Sequence, residues 1–122
     1  MTTLRSFRDL TVWQKSVDLA EKVYGHTAGF PKSELFGLTG QMRRAAVSIP
    51  SNIAEGQSRN STGEFLQFLG VARGSLAELE TQIELGARLA YLAPVAAEEL
   101  RGMCAEIGKM INGLRRSLRS RP

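Results

Sequence analysis

The chain has one cysteine, one histidine and no apolar run of membrane-spanning length, and each shortage removes a class of function. Cys104 has no second cysteine with which to close an internal disulfide, which suits a reducing compartment and a cytoplasmic location. A di-iron bundle needs paired Glu-x-x-His motifs, and His26 has no glutamate three residues before it. Cys104 likewise has no Cys or His at zinc spacing, so neither a metal nor a cofactor is expected. No segment approaches the roughly 20 apolar residues of a membrane span. The opening MTTLRSFRDLTVWQKS places a tryptophan and charges where a signal peptide needs an apolar core.

Acidic residues are also missing from the end of the chain. From Lys109 onward there are five basic residues and no acidic one, while the other 11 basic residues face all 12 acidic ones. The formal net charge of +4 therefore belongs to the tail. A cationic tail points to a polyanion such as nucleic acid. The plainer alternative is a solvated helix end whose arginines suit the negative pole of the helix dipole.

What is present is the material of one globular domain. Apolar residues make up 43% and charged residues 23% of 122 positions, enough for a single core, so residues 1–122 are read as one domain. Leu10, Trp13, Val17, Ala20 and Tyr24 step by three and four, the stripe of a packed helix, and Thr11 with Gln14 suggests a capping box at its start. Leu19 and Val23 fall off that stripe. Leu35, Leu38, Met42, Ala45 and Ile49 repeat the spacing, preceded by Pro31 and Ser33 as start signals. Ser61 and Glu64 make a second capping box before the stripe Phe65, Leu69, Ala72, Leu76, Leu79, Ile83, Gly86 and Ala90. Pro94 opens a last helix with Leu100, Met103, Ile107, Met110, Leu114 and Leu118 inward. The spacing predicts helices over about residues 11–28, 33–58, 62–91 and 95–118, with a basic tail over 115–122. Short connections make this an all-α, up-down-up-down antiparallel four-helix bundle.

Two features disturb that pattern. Glycines recur inside the helices at roughly 1 kcal/mol each against alanine. Gly70 and Gly74, one turn apart, suggest close helix approach or a surface of small residues for a neighbouring subunit. The stretch VSIPSNIAEG, residues 47–56, then puts polar residues on an apolar face. Pro50 removes the hydrogen bond to the carbonyl of Ala46 and crowds it, so a kink in the second helix near Pro50 is expected, with Ser48 and Ser51 near enough to serve freed backbone groups. Asn52 occupies a stripe position. Across the turn, Glu78 shares a heptad line with Val71 and Leu85, flanked by Ser75 and Gln82, and an Arg44–Glu78 bridge is geometrically reasonable. Arg44, Ser48, Pro50, Asn52, Glu55, Ser75 and Glu78 are thus read as a structural polar insert that sets register or oligomer state. The competing reading is a carboxylate-based enzyme using Glu55, Glu78 and Glu80, which would need an environment that pushes their pKa values apart. No nucleophile accompanies them, so no catalytic residue is assigned.

The blocks QMRRAAVSIPSNIAEG and GSLAELETQ, within an order of segments that covers nearly the whole chain, resemble the bacterial four-helix bundle family called 23S rRNA intervening-sequence proteins. The resemblance implies a ring-like homopentamer and a distant likeness to the accessory protein of diversity-generating retroelements, a basic bundle that binds nucleic acid and a reverse transcriptase. It carries the polar pattern onto Arg43, Arg44, Ser48, Asn52, Glu55, Ser75, Glu78 and Glu80, and it implies no catalytic role for them. The expectation is a non-enzymatic, cytoplasmic homo-oligomer that serves as an RNA- or DNA-associated scaffold. Arg5, Arg8, Arg115, Arg116, Arg119 and Arg121 are the candidates for phosphate contact. A ring would multiply a modest tail charge into a large local one. Exposed Phe36, Leu66 and Phe68, together with Leu19 and Val23, are candidates for the contact that drives assembly. The rival is a protein-partner adaptor that does not bind nucleic acid.

Overall fold

The computed structural model describes residues 6–120, so Arg5 and Arg121 lie outside the described residues. Within them the chain forms four α-helices and no strand: α1 Thr11–Thr27, α2 Leu38–Gln57, α3 Thr62–Arg88 and α4 Pro94–Arg119. Single 3-10 turns at Phe7–Asp9 and Lys32–Glu34 precede α1 and α2.

Each helix packs on the next in sequence, and α4 closes onto α1. Ser48 meets Ser75 while Gly56 lies against Phe65 and Phe68, so α2 and α3 run in opposite senses. Arg101 reaches Glu84 and Gly108 lies under Leu76, which sets α4 against α3 in the same way. Leu19, Met42, Ile49, Ile53, Leu76 and Ile107 are among the side chains wholly removed from water at the centre. Burying each contributes roughly 1.5–3 kcal/mol.

Helix starts differ from the expectation in two places. Thr11 does not cap α1: Leu10 stands at the N-cap with no side-chain hydrogen bond. The capping box lies upstream, where Ser6 Oγ accepts from the Arg8 N–H and the Asp9 carboxylate accepts from the Ser6 N–H. Gln14 instead donates to the Arg8 carbonyl at 2.8 Å. The second helix begins at Leu38, not near residue 33. Gly37 breaks the path with φ −106° and ψ −118°, and the Glu34 carboxylate turns back to accept from the Leu38 N–H at 3.1 Å. A Cβ on Gly37 would sit 2.6 Å from Glu34 Oε1, so a side chain there would push that carboxylate aside. Leu35, expected in the core stripe, is therefore exposed. At Ser61 the cap is as read, its Oγ accepting from the Glu64 N–H at 3.1 Å. The third helix stops at Arg88, three residues early, because Ala90 adopts φ 62° and the Tyr91 and Leu92 N–H groups turn back to the Gly86 carbonyl.

The inward face of α1 is one residue away from the apolar stripe, a rotation of about 100°. Val12, Ser16, Leu19, Val23 and Thr27 are buried, while Val17 and Tyr24 are exposed. Leu19 and Val23, read as surface residues, are core. Two polar residues hid this face from a count of apolar ones. Ser16 Oγ donates to the Val12 carbonyl at 2.6 Å and Thr27 Oγ1 to the Val23 carbonyl at 2.7 Å, so neither brings an unmet hydroxyl into the core.

Close helix approach is found at glycines other than the pair singled out. A Cβ on Gly56 would fall 2.7 Å from Phe68 Cβ, and one on Gly86 would fall 3.1 Å from Leu92. A Cβ on Gly74 would meet nothing within 4 Å, and one on Gly70 only the Arg115 guanidinium at 3.9 Å.

Candidate functional site: the α2–α3 groove and the basic end

Seven residues line a groove of about 310 Å³ between α2 and α3: Gln41, Arg44, Ala45, Ser48, Ser75, Glu78 and Gln82. Its floor is tied across the helices. Ser48 Oγ and Ser75 Oγ share a hydrogen bond of 2.8 Å, and the Asn52 amide donates to the Ser48 carbonyl at 2.8 Å and its Oγ at 3.0 Å. Ser48 is thereby occupied, so it does not serve the carbonyl freed by Pro50. Pro50 itself is buried inside α2, which continues past it to Gln57.

The polar insert thus divides. Ser48, Asn52 and Ser75 form one hydrogen-bonded unit, with Arg44 and Glu78 on the rim of the same groove. The expected Arg44–Glu78 bridge is not formed: the two side chains share the groove without approaching to ion-pair distance. Glu55 is elsewhere, in an exposed pair with Arg59 at 2.8 Å. Glu80 reaches Arg73 at 3.9 Å. The three carboxylates therefore serve separate neighbourhoods. Among the described residues no group of three or more His, Cys, Asp or Glu is placed to hold a metal. Cys104 is fully buried, and burial first, with the charge of Glu80 second, pushes its thiol up to about 12, which leaves it an unreactive core residue.

A second groove, of about 550 Å³, flanks the first on the α1 side. Tyr24, Leu35, Phe36 and Val47 line it with Arg43 and Arg44, and all four of those apolar side chains are exposed. Phe36 is the extreme case at 93% exposed. Arg43 clasps α1 to α2: its Nε donates to Thr27 Oγ1 at 3.0 Å and its guanidinium lies 4.6 Å from the Tyr24 ring centre. Leu66 and Phe68 are half-buried, so of the residues read as assembly candidates Phe36 is the one displayed. Gln41 was missed in the sequence, although it lies three residues before Arg44 and so on the same helical face.

The described phosphate-contact candidates, Arg8, Arg115, Arg116 and Arg119, belong to the two segments that flank one end of the bundle. Leu10, Leu114 and Leu118 line a common cleft there with the turn between α2 and α3, so the start of α1 and the end of α4 meet at that end, whereas the turn that carries Arg8 packs on α1 and α2. Arg8 stacks on Phe7 at 4.7 Å. Arg116 and Arg119 are exposed in the last turn of α4. Arg115 is half-buried, its Nε enclosed without a hydrogen-bond partner. No ion pair involves Arg115, Arg116 or Arg119 among the described residues. No helix among them is long and apolar enough to cross a membrane.

Residues 8–113 match the family described as 23S rRNA-intervening sequence protein. A crystal structure from Bacteroides thetaiotaomicron, of a protein with unknown function from the S23 ribosomal protein family, superposes with a TM-score of 0.79 at 24% identity. That likeness covers 86% of this chain and 95% of the other, and at this identity it speaks to the fold alone. No curated protein gives a significant match. The family span ends before the arginines at 115, 116 and 119.

Proposed function

This chain belongs to the 23S rRNA-intervening sequence protein family, and we propose that it acts there as a non-enzymatic, self-assembling, cytoplasmic scaffold that binds RNA or DNA through its basic end. The observation that carries the reading is the run of Arg115, Arg116 and Arg119 at the close of α4, without carboxylate partners among the described residues. Cations left unpaired at a surface are free to meet phosphates, and they act without regard to base sequence. Assembly, taken as a ring of five from the family resemblance, repeats this end around an axis and raises avidity without a new kind of contact.

Substitution tests this more cleanly than truncation, because removing residues from 115 onward would also remove the buried Leu118. The variant Arg116→Gln/Arg119→Gln should bind a generic single-stranded RNA at least about tenfold more weakly at low salt. Its salt slope should be shallower by about 0.7 for each phosphate that a protomer no longer neutralises. Full affinity and an unchanged slope in the folded variant would refute the role of this end. A second reading, a protein-partner adaptor, draws on the apolar groove beside Phe36. Absence of RNA and DNA binding at low salt, with one protein copurifying, would favour it.

A further inference from the structure

We propose that the contact between copies joins two adjoining surfaces of the protomer: the groove beside α2 receives the outer edge of α3 from the next copy, and Arg44 pairs with the partner's Glu78. This rests on the self-assembly proposed above and specifies its surfaces.

Four observations converge on this pairing. Arg44 and Glu78 are opposite charges on the rim of one groove, and neither has an ion-pair partner among the described residues. Exposed apolar side chains flank each of them. Tyr24, Phe36 and Val47 stand beside Arg44. Val71 and Leu85 stand seven residues before and after Glu78, hence on one line of α3, and both are exposed. Next, Gly74, one turn before Glu78 on the same face, is exposed with nothing within 4 Å of where its Cβ would be, so a projecting ring such as Phe36 of the next copy meets bare helix backbone there. Lastly, Gln82 Oε1 is buried at the groove without a hydrogen-bond partner, an acceptor that a neighbouring chain can satisfy.

The α2 groove and the α3 edge adjoin across the Ser48–Ser75 floor, so the pairing is made either once, head-to-tail, which closes a ring when the rotation permits, or twice about a two-fold axis. Charge complementarity fixes its register, and the apolar side chains supply most of the attraction.

Mass by light scattering, with helix content by circular dichroism, tests the pairing in the full chain. Arg44→Glu and Glu78→Arg should each reduce the particle to the 13.4 kDa single chain while remaining helical, and the double variant Arg44→Glu/Glu78→Arg should regain the parental mass. Gly74→Trp serves as a second probe: a Cβ at this exposed position meets nothing in the protomer, while the added ring obstructs approach to the α3 edge, so the chain should fold and stay monomeric. Parental mass in either folded single variant, or in folded Gly74→Trp, would overturn the assignment and leave assembly through another face. A parental protein that is itself a 13.4 kDa monomer would overturn both this pairing and the assembly beneath it.

Discussion

Around the body of α4, from Glu99 to Glu106, cations and carboxylates answer one another inside the protomer, whereas Arg44 on α2 and Glu78 on α3 go unanswered among the described residues. Lys15 meets Glu106 at 2.9 Å, His26 and Lys22 meet Glu99 at 2.8 and 3.5 Å, and Arg101 meets Glu84 at 3.0 Å. Hydrogen bonds from Arg88 and Arg101 hold the Glu84 carboxyl below its ordinary value, and His26, with Lys22 in support, does the same for Glu99. Arg44 and Glu78 have no such company among the described residues, and the apolar side chains around them face water. The first surface is finished in the single chain. The second is not, and an unfinished surface is what a docking partner completes.

The sharpest way to break this contrast is a matched pair of substitutions. Phe36 and Val95 are nearly equally exposed, at 93% and 83%, but Val95 stands at the start of α4, outside the two grooves. Phe36→Ser should lower the assembled mass several-fold in light scattering, and Val95→Ser should leave it unchanged. Equal behaviour would erase the distinction between the surfaces.

A smaller effect is expected at the groove floor. Ser75→Ala removes the partner of Ser48 at a position 7% exposed and should lower unfolding free energy by about 1 kcal/mol in urea titration. The smallest belongs to α4. Because the folded Glu99 carboxyl is held below its unfolded value, its stabilisation is present at neutral pH and lost as pH falls through that lowered value. Glu99→Gln should therefore lower Tm slightly at pH 7, and the difference should disappear in acid. Exposed pairs of this kind contribute little.

How far the sequence revealed this architecture varies by element. On α3 the apolar spacing identified Leu69, Ala72, Leu76, Leu79 and Ile83 correctly, because no polar residue competed with them for the inward positions except Ser75. On α1 the same spacing picks a face turned by one residue, since Ser16 and Thr27 are core residues whose hydroxyls fold back onto their own helix. The union of Ser48, Ser75 and Asn52 was partly legible: the residues stand out in the sequence, but their hydrogen bonds depend on a relative height of two helices that spacing does not set. The same limit applies to Arg44 and Glu78, which occupy facing positions yet do not touch. That the start of α1 and the end of α4 share one end, with Leu10 beside Leu114 and Leu118, follows from pairing the first and last helices, and the sequence contained it in that indirect form.

The Glu34 carboxylate has a mechanical consequence. One of its oxygens accepts from the Leu38 N–H at the head of α2, and the other accepts from the Tyr91 hydroxyl at 3.2 Å, beyond the end of α3. A single side chain thus latches together two corners of the chain 57 residues apart, and Phe36 is displayed on the short arc between the latch and the helix it starts. The aim of the most prominent ring on the molecule is consequently set in part from Tyr91, at a corner that Phe36 itself does not belong to.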